Sequence, residues 1–239
     1  MQELLKCIRK ADDDFHLIHE NDHIVIGVSG GKDSVVLMYA LYLYSKFKEK
    51  HFTFTGVYMN MGFENTDISP VMKFAEKFNI PFKCIDVPIY EILTHYKKEN
   101  DALDCSRCSN LKRGAIVNIA KELNANKIAF AHHGDDAIET LFMNAIYSGK
   151  FDTFQPKINY NDNDVIFIRP FIYAKESSIM HVLHKYDIPS VNSGCPNDGN
   201  TSRSVIKETL KSLYKVTPNA KNNILKALSS DNGVWKKEH

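Results

Sequence analysis

The 239-residue chain is long enough for one large domain, and its 44% apolar and 25% charged residues are ordinary values for a soluble globular protein. Thirty basic and 29 acidic residues nearly cancel, so the net charge neither supports nor excludes a nucleic-acid partner. The longest mostly apolar run, residues 35–44, is about half of the roughly 20 residues that a membrane span needs. Residues 1–20 lack the apolar core of a signal peptide. We therefore expect a cytoplasmic protein that does not enter the membrane.

Short β-rich runs alternate with helical patterns along most of the chain. We predict strands at residues 23–29, 52–59, 82–87, 127–132 and 165–169. Between them we predict helices at residues 34–50, 69–78, 111–124 and 137–147. The first strand is apolar on both sides, as parallel strands covered by helices on both faces are. The alternation predicts an α/β fold with a doubly wound parallel sheet.

Helices are also predicted at both ends of the chain. Residues 1–20 form a polar amphipathic pattern, and after Pro170 helical patterns follow at residues 175–186, 202–214 and 219–229. The polar stretch 159–164 predicts a turn before the last strand. We divide the chain into an N-terminal helix (1–20), an α/β domain (21–170) and a C-terminal helical region (171–239).

A glycine-containing loop, Ser29-Gly30-Gly31-Lys32-Asp33-Ser34, joins the first predicted strand to the first predicted helix of the sheet domain. Two glycines let the backbone approach an anion closely, and the helix N-terminus offers unpaired N–H groups. Lys32 adds a charge, while Ser29 and Ser34 add hydroxyl donors. The pattern is neither the ordinary P-loop nor the dinucleotide fingerprint. It predicts a phosphate-binding loop, and the alternative is a tight turn with an exposed lysine.

Five cysteines, at positions 7, 84, 105, 108 and 195, argue against a disulfide framework because their number is odd and no export signal precedes them. Cys105 and Cys108 form a C-x-x-C at a predicted helix start, close to Lys112 and Arg113. Cations and a helix N-terminus lower thiol pKa values, so we expect accessible thiolates here. Cys7 and Cys84 are expected to be buried structural residues.

Three kinds of site fit the remaining cysteines. Cys105 and Cys108 alone would make a redox pair. A zinc site would need a fourth ligand besides Cys195, from His95, His132 or Asp104. An iron–sulfur cluster on three cysteines would leave one iron open for catalysis. Residue chemistry alone leaves these alternatives open.

Several blocks of the sequence resemble one family. Residues 28–34 look like the pyrophosphate loop of the N-type ATP pyrophosphatases. Residues 105–114 are similar to the C-x-x-C-x-x-x-[RK]-R-G segment of tRNA thiolases of the TtcA/TtuA group. Residues 131–144 resemble that group's H-H-x-D-D-x-x-E-T-L-F-x-N stretch, and Ile168-Arg169-Pro170-Phe171 also matches. Flanking zinc fingers of the TtuA-type have no counterpart, which favours the cytidine-thiolating branch, although that branch usually carries more cysteines around the third ligand than Cys195 alone.

The resemblance implies a HUP-like, PP-loop ATPase fold that cleaves ATP between its α and β phosphates. Ser29, Gly30, Gly31, Lys32, Asp33 and Ser34 would hold the pyrophosphate end of ATP. Mg²⁺ would lie at Asp33, which thereby also serves catalysis. Adenine would lie along Val57, Tyr58 and Met59, at the carboxyl edge of the sheet. His132 and Asp135 would line the nucleotide site.

The resemblance also implies a [4Fe-4S] cluster on Cys105, Cys108 and Cys195, with sulfide on its open iron. The target base would be adenylated, and the sulfide would replace the activated oxygen. Lys112 would neutralise charge on that oxygen, or alternatively bind a tRNA phosphate. Asp136 would act as acid/base or Mg²⁺ ligand, unless it or Asp135 caps the following helix.

The expected partners are tRNA, which would approach Arg107, Lys112, Arg113 and the C-terminal helices, and a sulfur donor. That donor would be a cysteine desulfurase or free sulfide, and the family suggests a homodimer. Three alternatives remain: the same chemistry on uridine or another substrate, an amide-forming ATP pyrophosphatase with a zinc site, and a nucleotide-binding or redox-sensing module.

Overall fold

The structure is a computed structural model, and it describes residues 1–47, 51–63, 66–96, 103–160, 165–192, 194–195 and 202–237. The strands within these ranges are β1 (His23–Gly27), β2 (Thr53–Asn60), β3 (Phe82–Asp86), β4 (Lys127–Ala129), β5 (Lys157–Asn159) and β6 (Ile166–Ile168). The helices are α1 (Gln2–Phe15), α2 (Lys32–Tyr44), α3 (Ser69–Lys77), α4 (Ile89–Thr94), α5 (Cys105–Glu122), α6 (Gly134–Ser148), α7 (Glu176–Lys185), α8 (Ser202–Val216) and α9 (Ala220–Leu228).

The strands form one sheet in the order β3-β2-β1-β4-β6-β5. All neighbouring pairs are parallel except β5 and β6, which are antiparallel. The predicted doubly wound parallel sheet is therefore confirmed, with one antiparallel edge strand that the sequence did not predict. The connection between β5 and β6 is too short for the crossover that a parallel pair requires. Residues 161–164 of the predicted turn lie outside the described residues.

Helices cover both faces of this sheet, as the apolar first strand predicted. Ile24 and Ile26 are fully buried in a core with α1, α2, α3 and α7, whereas Val25 is buried on the opposite face against α5. Alternate residues of one strand point to opposite faces, so β1 is covered on both. None of the helices in the described ranges is long and apolar enough to cross a bilayer.

Both ends of the chain pack into the same core. The larger cluster extends from Leu4 of α1 to Trp235 in the C-terminal tail, so the three predicted segments share one hydrophobic core. Helix α1 ends at Phe15, short of the predicted residue 20, because His16 adopts a left-handed φ of 47°. Cys84 is exposed, contrary to expectation, because β3 is an edge strand with little covering it.

The strand order fixes the place of a ligand site. The chain runs outward from β1 through β2 to β3, then continues on the other side of β1 with β4. Open α/β sheets bind ligands where the strand order reverses in this way, at the carboxyl ends of the strands. The loop after β1 and the residues that follow β2 and β4 meet at this edge.

Candidate active site

The glycine-containing loop is braced by its own hydroxyl groups. The Ser29 amide donates to Ser34 Oγ at 3.1 Å, and Ser34 Oγ donates to the Gly31 carbonyl at 2.8 Å. Gly30 has a φ of +86°, which side chains rarely tolerate. Helix α2 starts at Lys32 with no side chain capping its N-terminus. The first amides of α2 are therefore free to face an anion.

A cavity of about 480 Å³ opens at the carboxyl edge of the sheet, beside this loop. It brings together eight of the predicted site residues: Ser29, Gly31, Asp33, Ser34, Met59, Lys112, His132 and Asp136. Val57 and Tyr58 also line it, together with Arg113 and Arg169. Gly30, Lys32, Asp135 and the three candidate cysteines are not part of its lining. The loop and the helix that carries the C-x-x-C thus border one cavity.

Lys32 lies in a network of carboxylates. Its Nζ is 3.1 Å from Asp33 Oδ2 and 3.1 Å from Glu176 Oε1. Burial alone would lower the pKa of Lys32, but these two carboxylates raise it. Glu176 also accepts hydrogen bonds from Lys207 at 2.8 and 3.0 Å. Burial opposes ionisation of Glu176, yet Lys207 and Lys32 lower its pKa to about 2.

Asp33 and Asp136 approach each other on either side of a histidine. His133 Nε2 is 3.7 Å from Asp33 Oδ1 and 3.4 Å from Asp136 Oδ2. Asp33 Oδ1 is buried without a hydrogen-bond partner, which is costly for a carboxylate oxygen. Paired carboxylate oxygens beside a phosphate-binding loop are the ligands that Mg²⁺ prefers. These residues fit a Mg²⁺ ion bound together with a nucleotide phosphate.

The two adjacent aspartates have different surroundings. Asp136 and His133 form a capping box at the start of α6, where the His133 amide donates to Asp136 Oδ2 at 3.0 Å. The carboxylate of Asp135 points elsewhere: it accepts from the Glu176 amide at 3.0 Å and pairs with Lys221. These contacts with α7 and α9 hold the Asp135 carboxylate away from the cavity. The structure therefore does not support the predicted role of Asp135 in the nucleotide site.

His132 and His133 face opposite directions, as expected for adjacent residues in extended chain. His133 is buried at the helix cap, whereas His132 is accessible from the cavity. The rings of Phe130 and Phe154 lie 5.9 and 5.1 Å from that of His132. Desolvation by the surrounding protein, followed by the charge of Arg169, lowers the pKa of His132 to about 4. His132 is thus a neutral group at physiological pH.

The C-x-x-C occupies the first turn of α5, which begins earlier than the predicted residue 111. Asp104 caps this helix by accepting from the Ser106 and Arg107 amides at 3.0 and 3.2 Å. Cys105 is exposed, whereas Cys108 is buried. Burial raises the pKa of Cys108 and outweighs the lowering effects of Lys112. The expected lowering of thiol pKa values at this helix start is therefore wrong for Cys108.

The three cysteines lie in one neighbourhood. Cys195 packs against the apolar cluster that contains Cys108, and the charges of Cys195 and Cys105 both influence Cys108. Within the described part of the chain, no three His, Cys, Asp or Glu side chains are grouped as ligands of a metal ion. Three thiolates are nevertheless the donor set of an iron–sulfur cluster. A four-iron cluster spaces its thiolates more widely than a single ion does, so the donor set is compatible with one.

A family model described as the PP-loop domain matches residues 2–213, from the start of α1 into α8. The chain belongs to the PP-loop family. The match includes the loop after β1, the C-x-x-C helix and Cys195. It confirms the resemblance inferred from the sequence blocks.

Relatives of this PP-loop protein match nearly its whole length. The tRNA-cytidine(32) 2-sulfurtransferase of Pelobacter propionicus is 33% identical over 231 residues, which cover 96% of this chain and 86% of the relative. The enzyme of the same name from Sorangium cellulosum is 31% identical over 244 residues, which cover 99% of this chain and 86% of the relative.

Solved structures show the same fold. The U34-tRNA thiolase NcsA from Methanococcus maripaludis, determined with its [4Fe-4S] cluster, gives a TM-score of 0.77 at 23% identity. That alignment covers 94% of this chain and 76% of the thiolase chain. The NH3-dependent NAD synthetase from Campylobacter jejuni gives a TM-score of 0.50 at 14% identity, covering 97% and 93% of the two chains.

Sequence reasoning missed the contribution of the C-terminal helices to this PP-loop site. Arg203 of α8 lies 3.3 Å from Asp136 and 3.2 Å from Glu139, and Lys207 binds Glu176. The excess of Lys and Arg from residue 203 onward indicated a basic C-terminal region, but it did not show which carboxylates these side chains contact. The Arg203 contacts join residues more than 60 positions apart and the Lys207 contact joins residues 31 positions apart, so only the tertiary fold reveals them.

Proposed function

We propose that this PP-loop protein is an ATP-dependent tRNA cytidine sulfurtransferase that works with a [4Fe-4S] cluster. One observation carries the proposal: a single cavity joins the phosphate-binding loop to Lys112, whose charge lies close enough to Cys108 to favour its thiolate. Activation by ATP and transfer of sulfur need such neighbouring sites. The similarity to tRNA-cytidine(32) 2-sulfurtransferases over most of their length supports tRNA as the substrate.

The nucleotide would occupy the β1–β2 side of the cavity. We propose that Ser29, Gly31, Ser34 and the free amides of α2 hold the β and γ phosphates. Lys32 would reach them by exchanging one of its carboxylate partners for a phosphate. Adenine would lie along Val57, Tyr58 and Met59, which line the cavity at the end of β2.

The first chemical step would take place at the α-phosphorus of ATP. Cytidine O2 attacks this atom, the bond to the bridging oxygen breaks, and pyrophosphate leaves. Asp33 and Asp136 would hold the Mg²⁺ that neutralises charge on the departing pyrophosphate. Donors fixed in advance around developing charge stabilise the transition state most effectively. We assign Lys112 to the charge that develops on the base oxygen.

Sulfur would then replace the activated oxygen at C2 of the base. Cys105, Cys108 and Cys195 would hold the cluster, which supplies a sulfide nucleophile next to Lys112. The C2–O bond breaks, AMP leaves with the oxygen, and a thiocarbonyl remains. Neutral His132 and the rings of Phe130 and Phe154 would border the adenylated base.

The tRNA would contact the basic start of α5. Arg107 is exposed on its first turn, and Arg113 lines the cavity. A base must leave its stack to reach such a cavity. We further propose that the protein is a cytoplasmic homodimer supplied with sulfur by a cysteine desulfurase or by free sulfide. Light scattering and desulfurase-coupled thiolation assays test the last two points.

Nucleoside analysis of tRNA from a strain that lacks the gene tests the proposed substrate. We expect 2-thiocytidine to disappear and to return when the gene is restored. Unchanged 2-thiocytidine together with a lost 2-thiouridine would assign the protein to uridine instead. A strain in which every thiolated nucleoside is retained would reject tRNA thiolation.

Anaerobic purification tests the cluster separately. We expect a brown protein with about four iron and four sulfide per chain, and pyrophosphate release that depends on tRNA. A Cys195→Ala variant should lose iron, since it lacks one of the three proposed ligands. A colourless protein with stoichiometric zinc would instead favour the amide-forming alternative. Binding of ATP without pyrophosphate release would favour a nucleotide-binding module.

A further inference from the structure

The segment that leads to Cys195 touches the phosphate-binding loop at two separate places. Its first residue, Glu176 of α7, lies 3.1 Å from Lys32 Nζ. After α7 the chain turns at Asp187, which has a φ of 49°, and returns to the loop. There the Val191 amide donates to the Gly30 carbonyl at 2.9 Å. We call residues 176–192 the bridge segment.

The second contact is also steric. Gly30 has a φ of +86°, and a Cβ at this position would collide with Cγ2 of Val191. The Val191 side chain therefore packs directly against the glycine backbone. A change of the loop at Gly30 has to move Val191, and a shift of Val191 has to alter the loop.

Cys195 lies close to this contact along the chain. It follows Val191 by four residues, and a tether of that length spans at most about 14 Å. Its side chain packs beside the apolar cluster of Cys108, on the C-x-x-C side of the cavity. The chain therefore keeps Val191 and Cys195 within that distance of each other.

We propose that Val191 is a positioning residue that couples nucleotide occupancy of the Ser29–Ser34 loop to the placement of Cys195. The inference rests on the proposed function, in which Cys195 is a cluster ligand. A phosphate on Lys32 competes with Glu176 at one end of the bridge segment, while loop adjustment at Gly30 acts on the other end. Coupling between two sites is reciprocal, so the cluster should change ATP affinity as ATP changes the cluster.

Binding measurements on two matched valine variants test this coupling. Val191→Ala removes the side-chain contact with Gly30 but keeps the hydrogen bond from the residue 191 amide, and Val191 is only partly buried. Val182→Ala makes the same substitution at a buried position of α7 that faces the core. Kd for a non-hydrolysable ATP analogue is measured by calorimetry on protein with and without its cluster, under anaerobic conditions.

We expect the two Kd values of the unmodified protein to differ about fivefold or more, the usual range of coupling between sites. The ratio should fall toward unity in Val191→Ala and stay unchanged in Val182→Ala, although the latter loses more stability. The analogue should also shift the electron paramagnetic resonance spectrum of the reduced cluster in Val182→Ala but not in Val191→Ala. Equal ratios in the unmodified protein and Val191→Ala would overturn the inference.

A measurement on cluster-free protein provides a second readout. The rate of Cys195 alkylation, followed by mass spectrometry, should change with the ATP analogue in the unmodified protein but not in Val191→Ala. The same nucleotide effect in both proteins would overturn the coupling. A preparation that never holds iron would instead contradict the proposed function, so the two failures are distinguishable.

Discussion

Lys112 lies where the nucleotide side of the cavity meets the cysteines. It lines the cavity, and its charge lowers the pKa of Cys108 against the larger effect of burial. We expect Lys112→Ala to lower the single-turnover rate of thiolation by about 10²–10³, the usual effect of losing one donor to a developing charge. Rapid-quench kinetics at saturating tRNA measure the rate.

A binding assay separates this role from a phosphate contact. If Lys112 acts on the base oxygen, the Kd for tRNA and its salt dependence change little in Lys112→Ala. A different result would show that Lys112 binds a tRNA phosphate: an unchanged thiolation rate, a higher Kd for tRNA, and a slope of log Kd against log salt concentration that is smaller by about one.

Asp33 presents a buried carboxylate oxygen without a hydrogen-bond partner. We expect Asp33→Asn to raise the Mg²⁺ concentration needed for pyrophosphate release and to lower its rate by about 10²-fold or more, because the metal supplies several kcal/mol of charge stabilisation. Mg²⁺ titrations of pyrophosphate release measure both changes.

Asp135→Asn is a suitable control for Asp33→Asn. Asp135 pairs with Lys221 and with the Glu176 amide outside the cavity. Its substitution should reduce stability but leave the Mg²⁺ dependence unchanged. An equal rise in the Mg²⁺ concentration that both variants need would contradict the assignment of Asp33.

At the scale of elements, Glu176 joins α7 to both α2 and α8 through Lys32 and Lys207. Its pKa is lowered from the ordinary 4.5 to about 2. Its ionised form therefore contributes to stability fully above pH 4.5, and the contribution disappears as the pH falls toward 2. Near pH 7 we expect Glu176→Gln to lower the free energy of unfolding by about 1–2 kcal/mol. This value lies between the usual effects of losing an exposed salt bridge and of breaking a buried one.

Urea unfolding between pH 7 and pH 2 checks this prediction. The difference between the unmodified protein and Glu176→Gln should be constant above pH 4.5 and shrink below it. Glu208→Gln, on an exposed pair with Lys211, serves as the control and should have little effect at any pH. A difference that does not depend on pH would contradict the role of the Glu176 charge.

Elements with long periodic patterns were predictable from the sequence, and short or capped ones were not. The parallel strands and the long helices follow from apolar spacing. Helix α4 has six residues and β5 has three, too few for a period to be recognised. Helix α5 starts at Cys105 because Asp104 caps it, although apolar spacing begins only at residue 111. The contacts of Asp135 and Arg203 depend on tertiary packing, which sequence spacing does not encode.

At the scale of the whole molecule, the C-terminal tail supports one wall of the cavity. Trp235 is 1% exposed, and its Nε1 donates to the Phe154 carbonyl at 3.0 Å. The Phe154 ring in turn contacts His132 and Arg169, both of which line the cavity. Removal of the indole should therefore affect both stability and nucleotide binding.

We expect Trp235→Ala to lower the free energy of unfolding by about 3–5 kcal/mol, the usual cost of truncating a buried tryptophan. Trp235→Phe loses mainly the hydrogen bond, which is worth about 0.5–1.5 kcal/mol. Circular dichroism in urea measures both free energies. Tryptophan fluorescence cannot be used, because Trp235 is the only tryptophan and both variants lack it. ATP affinity should decrease in the alanine variant; an unchanged affinity would contradict the link to the cavity wall.

The contact between Phe154 and Trp235 joins residues that are 81 positions apart. At ribosomal rates of about 5–20 residues per second, the second residue is synthesised roughly 4–16 s after the first. At the start of that interval the nascent chain already carries the complete phosphate-binding loop and strands β1 to β4, and β5 and β6 follow within it. It still lacks the residue that supports Phe154, so this wall of the cavity is completed only after Trp235 has been added.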